Sequence, residues 1–418
     1  MAAQGDRLET EVTRHGSVST RPSIAICGGG LGGLALAGLL ARDGHRPLVF
    51  EARDEAALRR QGLFLTLAPN ALAALRVVGI ERAVRAAGMT TCALELANQR
   101  GRRLARIDQL DAEGRPNDSV TIARGALAGL LADAARAAGA DLRFGMGLVG
   151  AAESPRVVTL DFGAAGRFGF DVVVAADGLA SAVRAALFPQ LPKPAYTGLV
   201  GTGGFACVPD LPATDGVMRM IFGHKAFFGY QKDGDGPVHW FNSWPLAEPR
   251  LADVEDPAAF ASELRRLHRN DPEPIGRILA AVPAIERAWP IYDMPPIERW
   301  HSRRVVLMGD AAHAVAPHAG QGAAMALEDA VVLAACLREA PTSPGAAFAR
   351  FEALRKKRTR AVMTLARRNG SGKMATNALS RLLRDLLMPM FVAISVRAAR
   401  RVASFRVDLT PLAEPVEN

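Results

Sequence analysis

The chain has 418 residues, 49% of them hydrophobic, with a formal net charge of +9. That length allows two or three domains and a large core, as expected of a soluble globular protein. The four cysteines (Cys27, Cys92, Cys207, Cys336) are far apart, which argues against a Cys-x-x-Cys site or a disulfide framework and makes a reducing cytoplasm the simplest setting. Met1–Thr20 lacks an apolar signal-peptide core, so residues 1–22 are expected to form a loose tail. No apolar run approaches the roughly 20 residues needed to cross a bilayer.

Ser23–Cys27 is a short β-rich run, followed at once by Gly28-Gly29-Gly30-Leu31-Gly32-Gly33. The Ala- and Leu-rich stretch Leu34–Arg42 predicts a helix ended by Gly44, and Pro47–Phe50 a second strand ending in Glu51. The order is strand, G-x-G-x-x-G, helix, strand, acidic residue. Gly28 permits the tight turn, Gly30 lets a pyrophosphate approach the backbone, and Gly33 lets the helix pack closely on the strand. Glu51 stands about twenty residues on, where a carboxylate binds the ribose hydroxyls of an adenosine. Arg53, Arg59 and Arg60 follow; they suit a pyrophosphate or charged cosubstrate, and equally a solvated surface.

Asn70–Val78 predicts a helix and Met89–Arg106 a strand pair around the polar turn Asn98-Gln99-Arg100-Gly101. Val120–Ile122 predicts a strand leading through Arg124 into a helix over Gly125–Ala138. At that junction Arg124 suits a ligand contact or a capping salt bridge. Asp141–Phe144, Arg156–Phe162 and Phe168–Phe170 suggest further strands. Asp171–Ala176 is apolar after its first residue, as a buried parallel strand should be. Asp177-Gly178 lies at its end, and Ser181 and Arg184 can share a helical face.

From Leu191 to Trp300 the character changes. Pro192 and Pro194 mark a boundary, and strand-like runs at Gly198–Val208, Val217–Phe222, Ala226–Gln231 and Val238–Ser243 are separated by Gly, Asp and Pro turns. Aromatic residues concentrate here (Phe222, Phe227, Phe228, Tyr230, Trp240, Phe241), and Arg219, His224, Tyr230 and Asn242 are candidate polar contacts to a substrate. Pro257–His268 predicts a helix. The apolar strand Val305–Met308 then runs into Gly309-Asp310, a loop with Pro317, Gly320 and Gly322, and a helix from near Gln321 that carries Glu328 and Asp329. Free N–H groups and the positive dipole end at such a helix N-terminus suit a phosphorylated ligand, and Asp310 can accept from a sugar hydroxyl.

Ala346–Arg368 predicts a basic helix, and Ala378–Arg401 another whose apolar core, Leu386–Val396, is interrupted by Pro389. Between Phe351 and Asp408 stand fourteen Lys and Arg against three acidic residues, so the rest of the chain is near neutral. The reading preferred for this segment is a solvated basic helix face, with Ala378–Arg401 packed against the nucleotide-binding part. A weak peripheral membrane contact is the alternative, and no nucleic acid partner is expected.

The three stretches, in order and spacing, resemble the three fingerprints of the FAD-dependent aromatic hydroxylases, the single-component flavoprotein monooxygenases typified by para-hydroxybenzoate hydroxylase. The resemblance implies an α/β fold (α+β overall), with a Rossmann-like FAD-binding domain, an inserted, mostly antiparallel β-sheet substrate domain, and C-terminal helices. The implied boundaries are 23–190 with 291–340 for FAD, 191–290 for substrate, and 341–408 for the basic helical region. It implies that Gly28, Gly30, Leu31 and Gly33 pack against the pyrophosphate and that Glu51 binds the adenosine ribose, with Arg53 beside it. Asp310 would bind the ribityl chain, and Arg124 and the turn Gly320, Gly322, Ala323 would lie near the flavin. Asp177 would orient groups around the pyrophosphate with Arg184 in support, and Pro317 would stand close to the reactive carbon. His313 would pack or cap, and no metal is implied.

Two stretches depart from the family. Gln61-Gly62-Leu63-Phe64-Leu65 is bulkier than the usual Gly-Ala-Gly-Ile, and Ala323-Ala324 replaces Leu-Asn. The implied activity is NAD(P)H- and O2-dependent hydroxylation of an aromatic or polycyclic small molecule through a flavin C4a-hydroperoxide, in a monomer or homodimer. NADH or NADPH would dock transiently, since there is one G-x-G-x-x-G. Alternatives are an epoxidase or reductase of the same fold, or a basic membrane- or nucleic-acid-associated module that keeps FAD structurally. Trp240-Phe241-Asn242-Ser243-Trp244-Pro245 does not match the halogenase motif Trp-x-Trp-x-Ile-Pro.

Overall fold

A computed structural model describes residues 13–14, 21–61, 63–111, 113–247, 254–371 and 378–407. Most of the expected N-terminal tail lies outside these residues; Thr13 and Arg14 pair with Phe168 and Gly169.

Strand β1 (Ile24–Cys27) feeds helix α1 (Leu31–Arg42), and β2 (Leu48–Glu51) returns beside it. Then come β3 (Phe64–Leu67), α2 (Pro69–Val78), β4 (Met89–Thr91), β5 (Ala93–Asn98), β6 (Arg103–Asp108) and β7 (Ser119–Ala123). Helix α3 (Arg124–Ala138) leads to β8 (Asp141–Phe144), and β9 (Val172–Ala175) follows a small sheet over residues 150–170. The next strands are β10 (Ala195–Ala206), β11 (Val217–Phe222), β12 (Phe227–Gln231) and β13 (Val238–Pro245), followed by helices α4 (Pro257–Leu267) and α5 (Ile275–Ala280). Finally β14 (Trp289–Asp293) and β15 (Val305–Leu307) precede α6 (Gly322–Glu339), α7 (Pro344–Ser371) and α8 (Ala378–Ala403).

A five-stranded sheet in the order β15-β9-β1-β2-β8 is parallel throughout. Strands β1, β9 and the edge strand β15 are all buried, which is why they read as unbroken apolar runs. Helix α1 packs against α3 and α6 through small residues; a side chain at Gly38 would stand 3.5 Å from Ala135.

The second sheet has seven strands in the order β14-β10-β13-β12-β11-β5-β6, antiparallel except where β11 runs parallel to β5. Helices α4 and α5 cover one face, with Leu264, Ile275, Ile278 and Leu279 buried against Phe228, Tyr230, Trp240 and Trp244. The hairpin β5–β6 joins this sheet from more than a hundred residues upstream, because period-two alternation marks a strand without naming its partner. A short sheet β3-β7-β4 lies between the two large ones.

Helix α8 continues through Pro389. The expectation that Ala378–Arg401 packs on the nucleotide-binding part holds only in small part, whereas α7 does pack there, on α6. The main contact of α8 is with β6, the edge of the seven-stranded sheet, and only a smaller one is with α2. The edge strand leaves unpaired backbone that a covering helix protects.

Candidate active site

Cys27, Phe50, Ala175 and Leu307 pair across the parallel sheet. The residues after them, Gly28, Glu51, Ala176 and Met308, therefore stand side by side at its carboxyl edge, where open parallel sheets bind ligands. Gly28 has φ +107°, and a Cβ there would lie 2.3 Å from the Ala176 carbonyl oxygen. A Cβ on Gly33 would lie 2.0 Å from the Gly28 carbonyl oxygen. Packing thus demands two of the three glycines. Gly30 differs: its backbone is extended and a Cβ there would meet nothing within 4 Å. Leu31 begins α1, which has no side-chain cap and no acid in its first turn, so its leading N–H groups face this open space.

The carboxylates along this edge differ in their surroundings. Glu51 is buried, accepting from Gly29 N at 2.8 Å and from Arg53 N and Nε at 3.0 and 2.7 Å. Burial pushes its carboxyl up, and the Arg53 and Gly29 bonds bring it below the usual range. Asp177 accepts from Val183 N at 3.1 Å through Oδ2, while Oδ1 is buried without a partner, and burial raises its pKa. Arg184 does not reach the edge: it donates to the carbonyls of Ala311, at 2.7 Å, and Leu179, tying the Asp177 loop to the Gly309–His313 turn. Asp310 opens to solvent but is otherwise enclosed, and this desolvation raises its pKa against the pull of His313 and Arg124. The guanidinium of Arg124 has no hydrogen-bond partner among the described residues. Burial lowers its pKa, and the charges it feels are those of Asp310 and Arg53. Pro317 starts a 3-10 turn, Gly320 is left-handed at φ 60°, and Gly322 and Ala323 open α6, again with no side-chain cap and no acid in the first turn.

Behind this turn lies a buried network that the sequence showed only as scattered residues. Asp329 accepts from Gly309 N at 2.8 Å, from His313 Nε2 at 2.6 Å and from Arg355 Nε at 2.6 Å. Glu328 meets Arg355 at 2.7 Å and Arg358 at 3.0 Å, and accepts from Asn70 Nδ2 at 2.7 Å. Asn70 also donates to Gln321 at 2.8 Å. Burial pushes the Asp329 carboxyl up, and His313 and Arg355 more than reverse this, to about 2. Helix α7 thus clamps both ends of the loop from Gly309 to Gln321.

The face of the seven-stranded sheet away from α4 and α5 turns toward β3 and β7, and α8 covers its far end at Phe222 and Phe227. Phe64 lies edge-on to His239 and Phe241 with ring centroids 5.3 and 6.0 Å away. Gln231 accepts from Thr91 at 2.8 Å and Thr121 at 3.2 Å. Leu199 and Ile291 pack on Ala316, next to Pro317. Strand parity sends three of the proposed substrate contacts the other way. Glu95, Arg219, Tyr230 and Trp240 form one cross-strand row on the helix-covered face. Arg219 is bonded to Glu95, and Asn242 donates to buried His268. His224 sits in the β11–β12 turn with Nδ1 2.8 Å from Asp271 Oδ1. His239 and Phe241, which face the cleft, follow from the parity of β13 once Trp240 is known to be core.

The residues from 21 to 368 match the model of a family described as "FAD binding domain". The chain is 34% identical to the aurachin C monooxygenase/isomerase of Stigmatella aurantiaca, over 94% of this chain and all of that one. It is 28% identical to the 6-hydroxynicotinate 3-monooxygenase of Pseudomonas fluorescens, over 84% and 92%. In fold it resembles Klebsiella pneumoniae HpxO, solved with FAD and uric acid, with a TM-score of 0.77 at 23% identity over 91% of this chain and 96% of that one. The chain belongs to the FAD binding domain family, among the FAD-dependent aromatic hydroxylases its motifs resemble, and is a flavin-dependent monooxygenase. Among the described residues no helix is long and apolar enough to cross a membrane, and no His, Cys, Asp and Glu cluster could hold a metal.

Proposed function

We propose that the carboxyl edge of the parallel sheet holds FAD, and that the cleft beneath the seven-stranded sheet holds a neutral aromatic ring hydroxylated at the expense of NAD(P)H and O2. The observation that carries this reading is the open edge itself: a Cβ on Gly30 would meet nothing within 4 Å, Asp177 Oδ1 is buried without a partner, and the half-buried Arg124 guanidinium makes no hydrogen bond among the described residues. A half-buried guanidinium with no hydrogen bond of its own offers its N–H groups to a ligand's acceptors.

The residues present fit the cofactor. The space at Gly30 and the free N–H groups from Leu31 to Gly33 would take the pyrophosphate. Glu51, held by Arg53, would take the adenosine ribose. Asp310 would take the ribityl hydroxyls, and buried Asp177 Oδ1 is an acceptor still to be filled. Arg184 would act indirectly, by fixing the turn that carries Asp310. Arg124, Pro317 and the turn Gly320, Gly322, Ala323 would border the flavin. When bound, FAD supplies the redox chemistry, passing electrons from NAD(P)H to O2 so that one oxygen atom enters the ring and the other leaves as water.

The rest is positioning and exclusion of water. Phe64 and Phe241 offer flat apolar surface to a ring. His239 donates from Nδ1 to the Pro237 carbonyl at 3.2 Å, which leaves Nε2 as an acceptor, and burial lowers its pKa, so the neutral imidazole suits a ring hydroxyl. The cleft-facing rows Leu96, Met220, Gly229, Phe241 and Phe205, His239, Gln231 contain no Lys or Arg, and Arg384, which reaches this face over Phe222, is held by Asp385 and Gln99; both favour a ring without a carboxylate.

The test is NAD(P)H oxidation in air by the FAD-loaded enzyme with matched neutral and carboxylated rings, and product mass. The expected outcome is stimulation by neutral rings with a gain of one oxygen. Flavin reduction by NAD(P)H with no ring oxygenated would point instead to a reductase.

A further inference from the structure

Among the described side chains of α8, the large apolar ones that are exposed form a stripe. Leu379 is 67% exposed, Leu382 66%, Leu383 48%, Leu386 72% and Met390 53%. Their spacing, i, i+3, i+4, i+7 and i+11, places them on one arc of about 100°. The opposite side of the helix is occupied. Met388 packs on the cluster of Leu104, Phe222 and Phe227, Asp385 accepts from Asn98 at 2.8 Å, and Arg384 lies over the Phe222 ring at 4.8 Å from its centroid. The stripe is therefore not a core face that has lost its place; α8 is docked, and its apolar side points away from the protein. A contiguous exposed apolar patch of this kind marks an interaction surface.

Charge selects the occupant. The segment from Phe351 to Asp408 carries fourteen Lys and Arg against three acidic residues. On α8 itself Arg401, also exposed, continues the line of the stripe three turns beyond Met390. On α7, Lys357 and Arg360 are exposed. A second copy of this face would meet its own positive charge, whereas an anionic phospholipid surface is complementary in both apolarity and sign. We propose that α8 lies in the interface of an anionic bilayer, with Leu379, Leu382, Leu383, Leu386 and Met390 inserted among the acyl chains and the basic residues at the headgroups. No span is implied: the stripe covers twelve residues, about 18 Å of helix. The proposal is independent of which ring is oxidised.

The test is sedimentation of the FAD-loaded full-length protein with phosphatidylcholine vesicles, with and without phosphatidylglycerol, alongside the double variant Leu382→Glu/Leu386→Glu. Both leucines point outward, so the variant is expected to keep its flavin spectrum and thermal midpoint. A second variant, Leu386→Gln, serves if the first does not fold. The expected result is binding to the anionic vesicles alone, weakened by salt and at least about tenfold weaker in the variant. Equal binding by variant and parent, or no binding by the parent, would overturn the proposal. So would a dimer of the parent in lipid-free solution that the same substitutions dissociate, which would show that a second copy covers the stripe.

Discussion

Replacing Gly30 by Ala separates the needs of the fold from those of the ligand. The residue is extended (φ −74°, ψ −179°), and a Cβ there meets nothing within 4 Å. Alanine in place of glycine at this helix cap should cost the FAD-free protein less than about 1 kcal/mol. The added methyl, about 1.5 Å from Cα, would occupy the space assigned to the pyrophosphate. Loss of one charge-assisted hydrogen bond is worth about 1.5–3 kcal/mol, or roughly 10- to 100-fold in FAD affinity. Gly33→Ala is the contrast. Its Cβ would lie 2.0 Å from the Gly28 oxygen, where roughly 3.3 Å is needed, so α1 must withdraw by about 1.3 Å. Overpacking of that kind costs about 1–3 kcal/mol before any ligand is added. The assays are thermal melting of both apoproteins and FAD titration followed by flavin fluorescence. Gly30→Ala should melt like the parent and bind FAD weakly, whereas Gly33→Ala should fail in both. If Gly30→Ala bound FAD like the parent, the pyrophosphate would not lie there and the assignment of this edge would be wrong.

Arg124→Met should change the stability of the apoprotein little, since the half-buried guanidinium makes no hydrogen bond among the described residues, yet weaken FAD at least about tenfold; melting and titration read the two effects separately. The folded pKa of Asp329, about 2, lies below its ordinary 3.8, so its ion pairs stabilise the protein fully above that ordinary value and lose their contribution as pH falls through about 2. Urea denaturation from pH 5 down to 2 should show that loss in the parent and a shallower slope in Asp329→Asn, which starts less stable. Phe64→Ala should raise KM for the ring several-fold while FAD affinity stays near that of the parent, because Phe64 faces His239 and Phe241 across the cleft. A matching loss of FAD affinity would show that Phe64 supports the cofactor instead.

Much of this protein is legible locally. Buried parallel strands must be apolar throughout, a tight strand-to-helix turn needs glycine, and the ends of α2 and α3 are marked by Gly79 and Gly139 at left-handed φ, so β1, α1, α2, α3, β9, β15 and α6 could be read in order. The three fingerprints and the family followed from them, because each lies within one strand–turn–helix unit. What depends on contact between distant segments was not legible. The sequence contains nothing that attaches Ala93–Asp108 to strands beyond residue 195, since backbone hydrogen bonds are the same for any partner. Nor did it choose the face of β11 and β13 that meets the cleft. Aromatic residues occupy both faces, and only the packing of α4 and α5 sends Tyr230, Trp240 and Asn242 inward and leaves Phe241 and His239 in front. The Arg355–Asp329–His313 network and the outward stripe of α8 arise in the same way. A lone charge or leucine reads alike whether buried or exposed, and only the docking of whole helices decides which it is.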